Sequence, residues 1–185
     1  MHSPLTNFRK KLWDATEGGA ARAVEVNRRI AALVDVLIGN EEDLQLGLGV
    51  PGPDASTRGS SHDTRAFQEV IGRVTAQYPN IKLVATSLRD VHSASRHSWK
   101  AVMWYDGELH ESAAADLDVY DRIGGGDGFA AGLVYGLLMD KAPVQALRLG
   151  WAHGALLTTY PGDITMARLE QVEALAAGGG ARVVR

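Results

Sequence analysis

A run of three glycines, residues 124–126, leads directly into Asp127 and a helix-forming stretch of small residues. Glycines ahead of a helix let backbone N–H groups converge on an anion, and the helix dipole adds positive potential there. Asp127 would lie in the first turn of that helix, where a carboxylate can accept a proton from an alcohol while a phosphoryl group is transferred to it. The other interpretation is an ordinary glycine-rich turn between a strand and a helix, and these residues alone leave both open.

The composition narrows the class of protein. The chain has 185 residues, 45% of them hydrophobic and 22% charged, so we expect a single domain over residues 1–185 with one sizeable core. Its net charge of −3 argues against nucleic acid or an anionic membrane as a partner. It has no cysteine, which excludes disulfides and thiolate metal sites. Because no apolar run approaches the roughly 20 residues that cross a bilayer and the N-terminus does not resemble a signal peptide, we expect a soluble cytoplasmic domain.

Helical and strand patterns alternate along the chain. Short apolar runs predict strands at residues 34–39 and 81–87, and Asp106-Gly107 predicts a hairpin turn within residues 99–110. Residues 49–63 are rich in Pro, Gly, Ser, Asp and Thr and are expected to form a mobile loop. Amphipathic periodicity and helix-end signals predict helices at residues 18–33, 64–78, 127–139, 143–158 and 166–176.

This alternation favours an α/β fold with a parallel, doubly wound sheet. Ligands of such sheets gather at the carboxyl ends of the strands. Asn40, Ser87 and Gly124 each lie just past a predicted strand. The pattern therefore predicts that these three residues contribute to one site.

Four motifs of this chain resemble those of the ribokinase-like (PfkB) sugar kinases, and within that family those of the 2-keto-3-deoxygluconate kinases. The glycine signature ends in an acid followed by Gly and Phe. The other motifs are an Asn-x-Arg-x-x-Leu-Trp element, an Asn-x-x-Glu motif with Asp in its last place, and a Pro-Gly-Asp turn. They are found here as Asp121-Arg-Ile-Gly-Gly-Gly-Asp127-Gly-Phe129, Asn7-Phe-Arg9-Lys-Lys-Leu-Trp13, Asn40-Glu-Glu-Asp43 and Pro161-Gly162-Asp163. The resemblance implies a ribokinase-like, Rossmann-type doubly wound fold.

The resemblance also implies catalytic and metal-binding roles. Asp127 would be the base that activates the sugar hydroxyl, and Gly124, Gly125 and Gly126 would form the anion hole for the γ-phosphate of ATP. Asn40 and Asp43 would order Mg²⁺ and its waters, although acids at a helix N-terminus are also favoured by the helix dipole alone. Asp121 would help to bind a monovalent cation such as K⁺, or would have a plain structural role.

Further residues are implied to bind the substrate and the nucleotide. Arg9 would contact the substrate carboxylate, or would be one solvated charge in a basic run. Asp163 would contact sugar hydroxyls, or would be a turn residue or a helix N-cap before Thr165. The nucleotide would meet Asn7, Asn40, Ser87, Arg89 and Trp151, of which Trp151 would face the adenine or, alternatively, be a buried core residue.

Two departures from the family pattern shape what we expect. The N-terminal part that carries the lid over the sugar and the first strands is absent, so we expect a truncated sheet that self-associates or binds a partner covering the missing part. Residues 89–98 replace the family's nucleotide loop and contain His92 and His97, which are a weak metal signal more simply explained as part of a solvated loop.

Two functions follow. The first is a sugar kinase that uses ATP and Mg²⁺ to phosphorylate 2-keto-3-deoxygluconate or a similar sugar acid. The second is a non-catalytic nucleotide-binding remnant, or an interaction module, of the same fold. A metal hydrolase is poorly supported, because the histidines do not recur beside acids at ligand spacing.

Overall fold

The computed structural model describes residues 8–40, 43–52 and 64–178, so Asn7 and residues 53–63 of the predicted loop lie outside it. Within these ranges the chain forms six α-helices, five strands and a π-helical turn. None of the described helices is both long and apolar enough to cross a membrane. The elements are α1 (Lys10–Asp14), α2 (Gly19–Ala31), β1 (Val36–Ile38), the π-helical turn (Asp43–Gly47), α3 (Arg65–Gln77), β2 (Leu83–Val91), β3 (Arg96–Tyr105), β4 (Glu108–Glu111), β5 (Ala115–Asp118), α4 (Gly125–Leu138), α5 (Pro143–Leu157) and α6 (Leu169–Ala176).

The described residues form two compact units. The first comprises the segments up to residue 86 together with 103–109, and the second comprises 87–102 together with the residues from 110 onward. The division therefore falls inside the strands β2 and β3. All five predicted helices are present, with ends within three residues of the prediction.

In the first unit, β1 and β2 pair in parallel, with Leu37 opposite Val84. The apolar period that predicted α3 corresponds to its buried face, where Phe67, Val70 and Val74 are each at most 2% exposed. The end of α2 is tied to the start of β1 by Asn80, whose side-chain amide donates to the carbonyls of Ala31 and Val34 at 2.8 and 2.7 Å.

The sheet is mixed, not all parallel as the strand–helix alternation suggested. Its strand order is β1-β2-β3-β4, with β5 paired to β3. The β3–β5 pair is antiparallel, with Trp99 opposite Ala115. Asp106 and Gly107 join β3 to β4 with φ angles of 49° and 88°, the left-handed pair that a two-residue hairpin requires. Such a tight turn permits only an antiparallel return, so the predicted hairpin is confirmed and the local topology follows from it.

Residues 88–98 form a hairpin instead of an open loop. The strand β2 continues to Val91, β3 begins at Arg96, and the His92 amide donates to the Arg96 carbonyl at 2.9 Å. His97 is only 2% exposed, so the prediction of a solvated loop was wrong for this residue. The prediction that Ser87 lies past the end of a strand was also wrong, because Ser87 is inside β2.

In the second unit, α4 and α5 pack backbone against backbone. A Cβ added to Gly132 would lie 2.6 Å from the Leu149 carbonyl oxygen, and one added to Gly154 would lie 2.8 Å from the Gly125 carbonyl oxygen. Distances this short leave no room for a side chain at the contact. The contact positions recur every fourth residue on both helices, at Gly128, Gly132 and Gly136 of α4 and at Ala146, Gly150 and Gly154 of α5.

We expect Gly132→Ala to destabilise the fold. The new Cβ would meet backbone atoms of α5 that cannot rotate away, and overpacking of this kind typically costs about 1–3 kcal/mol. The matched control is Gly72→Ala in the middle of α3, where an added Cβ meets nothing within 4 Å. There the better helix propensity of alanine should raise stability by up to about 1 kcal/mol. Urea unfolding of both variants checks this, and equal stabilities would refute the packing argument.

His97 carries a buried imidazole next to positive charges. Burial lowers the pKa of His97 most, the Arg89 guanidinium lowers it further, and Arg122 and His92 add smaller effects in the same direction. A hydrogen bond with the Ser93 backbone opposes them. The folded state therefore favours the neutral imidazole.

Stability should accordingly fall in mild acid. Between the folded and the unfolded pKa, the unfolded chain binds the proton and the folded chain does not. The free energy of unfolding is therefore highest above about pH 6.5 and decreases as the pH falls below that value. Each unit of pKa depression corresponds to about 1.4 kcal/mol at low pH. Chemical denaturation from pH 7.5 to 5 should show a shallower decline for His97→Gln than for the original chain. Replacement of the exposed His92 by Gln is the control and should change the decline only slightly, because His92 makes the smallest of these contributions to the pKa of His97.

Candidate active site

The glycine signature forms the N-terminus of α4. Gly124 is the N-cap with φ 81°, and the first hydrogen bond of the helix runs from the Gly128 amide to the Gly124 carbonyl at 2.7 Å. The amides of Gly125, Gly126 and Asp127 therefore lack an acceptor within the helix. The structure places Asp127 in the first turn, as the sequence predicted, with its side chain exposed. This arrangement can bind an anion beside a carboxylate.

The three glycines answer different demands. A Cβ at Gly124 would lie 3.2 Å from the carbonyl oxygen of Asp163, and one at Gly125 would lie 2.9 Å from a methyl carbon of Thr158. Packing thus excludes side chains at these two positions. A Cβ at Gly126 would meet nothing within 4 Å, so the third glycine faces open space. Of the three positions, only Gly126 has room for a side chain.

Asp121 ties the signature to the Pro-Gly-Asp turn. One carboxylate oxygen accepts from the Ile123 amide at 2.9 Å, and the other accepts from the Gly162 amide at 3.3 Å. The Asp121 amide itself donates to the Thr158 carbonyl at 3.1 Å. These contacts support the structural role that the sequence left open for Asp121, and its role toward a monovalent cation stays a prediction.

Asp163 lies next to the signature with an exposed side chain. Its neighbour Gly162 has φ 81°, which turns the chain sharply at this point. The following helix α6 starts only at Leu169 with Arg168 as its N-cap, so the alternative of Asp163 as an N-cap is wrong. The second unit therefore holds Asp127 and Asp163 on two adjoining turns.

Trp151 is a core residue. It is 7% exposed, and its indole N–H donates to the Trp99 carbonyl at 3.4 Å. The indole N–H of Trp99 donates in return to the Trp151 carbonyl at 3.0 Å. Of the two interpretations for Trp151, the structure supports the buried core residue, and a contact of this ring with adenine stays a prediction.

Two arginines of the second unit, Arg89 and Arg122, lie near each other. Arg89 is exposed on β2, while partial burial and then the nearby Arg122 guanidinium lower the pKa of Arg89. Both groups stay protonated because an arginine cannot lose its proton in a protein. Arg122 was not among the predicted site residues, although a cation inside the glycine signature was a visible signal for it. Ser87, also on β2, is half-buried.

In the first unit, Asn40 and Asp43 hold each other. The Asn40 side-chain oxygen accepts from the Asp43 amide at 2.7 Å, and one Asp43 carboxylate oxygen accepts from the Asn40 amide at 3.0 Å. The other Asp43 oxygen accepts from the Phe8 amide at 2.8 Å. Arg9 follows directly, exposed at the start of α1. The structure thus brings together three of the first unit's motif residues, Arg9, Asn40 and Asp43, through Phe8.

Metal ligands do not cluster in the described part of the chain. No group of three or more His, Asp or Glu side chains there could hold a metal ion. The carboxylates Asp43 and Asp121, which the resemblance implied as metal residues, both accept backbone hydrogen bonds with each of their oxygens.

Residues 5–170 match the pfkB family of carbohydrate kinases. The chain is 27% identical over 179 residues to 2-dehydro-3-deoxygalactonokinase of Haloferax volcanii, covering 97% of this chain and 48% of that protein. It superimposes on 2-dehydro-3-deoxygluconokinase of Thermotoga maritima with a TM-score of 0.82 and 32% identity, covering 95% of this chain and 50% of that one. A putative ribokinase II from E. coli in complex with ATP and Mg²⁺ has a TM-score of 0.64 at 20% identity, over 94% and 47% of the two chains, and shares the fold.

The chain spans about half the length of the relatives that it matches. The predicted ribokinase-like α/β fold is confirmed by these structures. Since the match includes the glycine loop of α4 and the turn formed by Asn40 and Asp43, this chain belongs to the pfkB family of carbohydrate kinases.

Proposed function

We propose that the chain takes part in the ATP-dependent phosphorylation of a sugar acid, with 2-keto-3-deoxygluconate or its galactonate epimer as the substrate. One observation carries this proposal. Three backbone amides at the start of α4 lack a helical acceptor, Gly126 faces open space, and the exposed Asp127 lies beside them. The relatives named above support the choice of sugar acid.

The proposed reaction needs only a few groups of this chain. The γ-phosphate would be held by the amides of Gly125, Gly126 and Asp127 with the positive end of α4. The Asp127 carboxylate would take the proton from the primary hydroxyl while that oxygen forms a bond to the γ-phosphorus. The bond from phosphorus to the bridging oxygen then breaks, ADP leaves, and the proton is released to water. Catalysis would consist mainly of positioning and electrostatic stabilisation.

Mg²⁺ would be held mainly by the nucleotide phosphates and water, which is its usual arrangement in phosphoryl-transfer sites. When bound, it neutralises part of the phosphate charge. Asp43 and Asp121 already accept backbone hydrogen bonds with both carboxylate oxygens, so we do not propose either as a direct ligand. The E. coli structure with ATP and Mg²⁺ supports the choice of nucleotide and cation.

In the first unit, the exposed Arg9 guanidinium suits bidentate binding of the carboxylate of a sugar acid. In the second unit, the exposed Asp163 suits contact with a sugar hydroxyl. The nucleotide would contact three residues of the second unit, Ser87, Arg89 and Arg122.

A second function stays open because the chain spans about half of its relatives. A nucleotide-binding module of the same fold would bind ATP without turnover. Activity would then require a second copy of this chain or a partner that supplies surface around the sugar.

Asp127→Asn should abolish turnover with the fold intact. Loss of a positioned general base typically lowers the rate by about 10²–10⁴-fold. The assay is ADP release with Mg·ATP and 2-keto-3-deoxygluconate, with ribose and fructose as substrate controls. The control variant is Asp140→Asn, which changes an exposed acid next to the other end of α4 and should retain full activity. ATP binding without any turnover in the original chain would favour the second function.

Gly126→Ala should weaken ATP binding without lowering the stability of the fold. Its Cβ meets no protein atom within 4 Å, so the unfolding free energy should stay the same or rise by up to about 1 kcal/mol. The methyl group would nevertheless occupy the open space that Gly126 faces, and we expect ATP affinity, measured by calorimetric titration, to fall by about tenfold or more. Unchanged affinity in a stably folded variant would exclude this loop as the phosphate site.

A further inference from the structure

Asp43 is a buried carboxylate of the first unit that two backbone amides hold in place. It is 8% exposed, and its two oxygens accept from amides 35 and three residues away, those of Phe8 and Asn40. Asn40 returns the interaction by accepting from the Asp43 amide. This reciprocal pair has the form of a capping box, with Asn40 in the N-cap place and Asp43 three residues later.

Phe8 lies near the π-helical turn. A Cβ added to Gly47 would lie 3.9 Å from the Phe8 Cβ, so Phe8 comes close to the last residue of the π-helical turn. The contact that holds Phe8 is the hydrogen bond from its amide to Asp43. The next residue is Arg9, at the start of α1.

These contacts fit a metal ligand poorly. Mg²⁺ demands near-octahedral geometry and keeps several waters, whereas Asp43 is buried with both oxygens engaged by backbone amides. Asp43 is 8% exposed, so a hydrated Mg²⁺ has little access to its carboxylate, and any rearrangement that broke the two amide contacts would be unfavourable at this buried position.

We propose that Asp43 is a positioning residue for substrate recognition, not a magnesium residue. It fixes Phe8 and thereby sets the place of the Arg9 guanidinium, which binds the carboxylate of the sugar acid. This inference rests on the proposed function for the role of Arg9. The clamp on Phe8 itself does not depend on that function and can be tested separately.

The first test measures the clamp directly. In Asp43→Asn the side-chain amide nitrogen cannot accept a hydrogen bond, so one of the two backbone amides loses its acceptor. Exchange of the Phe8 and Asn40 amide protons, followed by NMR, should speed up by about tenfold or more for at least one of them. The control is Asp14→Asn, which removes an exposed carboxylate paired with Lys10 in α1 and should leave both exchange rates unchanged. Unchanged exchange in Asp43→Asn would overturn the clamp.

The second test separates positioning from metal binding. For Asp43→Asn we expect the KM for the sugar acid to rise about tenfold, with the Mg²⁺ concentration for half-maximal rate within about twofold of the original. In an Arg9→Ala background the same substitution should add little, because Asp43 acts through Arg9. A raised Mg²⁺ requirement with an unchanged KM, or fully additive effects, would overturn the proposal.

Two further measurements keep the outcome decisive. If Asp43→Asn does not fold, Asp43→Glu retains the charge with one more methylene. It should displace Phe8 and raise the KM without tightening Mg²⁺, whereas tighter Mg²⁺ would identify a metal ligand. If the chain shows no turnover, the proposed function fails, but amide exchange still tests the clamp and Mg·ATP binding still tests the metal role. Weaker Mg·ATP binding in a folded Asp43 variant would then overturn the claim that Asp43 is not a magnesium residue.

Discussion

The close approach of α4 and α5 is the constraint on which the second unit depends. Glycines recur every fourth residue along the contact, and at Gly132 and Gly154 an added Cβ would lie under 3 Å from backbone oxygen of the opposing segment. Near the start of α4, Gly154 approaches the Gly125 carbonyl, which belongs to the signature itself. The helix pair therefore holds in place the amides that would bind a phosphate in the proposed reaction.

The acids of the motifs divide into two groups by their surroundings. Asp43 and Asp121 accept backbone amides with both oxygens, so they shape the chain around them. Asp127 and Asp163 have exposed side chains, as groups that contact a substrate need to have. An aspartate that accepts backbone amides thus stabilises the local structure, whereas an exposed aspartate is available to a substrate.

The strongest predictions came from local signals. The apolar positions Phe67, Val70 and Val74 follow the helical period that predicted α3, and Asp106-Gly107 predicted the hairpin. Both elements depend on residues that are neighbours along the chain. The errors arose where distant segments decide. His97 belongs to a polar stretch but is 2% exposed in β3. For Trp151, where the sequence left two interpretations open, the structure shows a buried ring that exchanges hydrogen bonds with Trp99.

The amino-acid sequence by itself determined five of the six described helices, the hairpin, the position of Asp127 in the first turn of α4 and the kinase family, since periodicity, turn chemistry and ordered motifs are local properties. Only the tertiary structure decided which glycine of the signature leaves open space and which are filled by packing. It also decided that the carboxylate of Asp43 holds Phe8. These facts depend on atoms from segments far apart in the chain, and no local pattern records where those atoms meet.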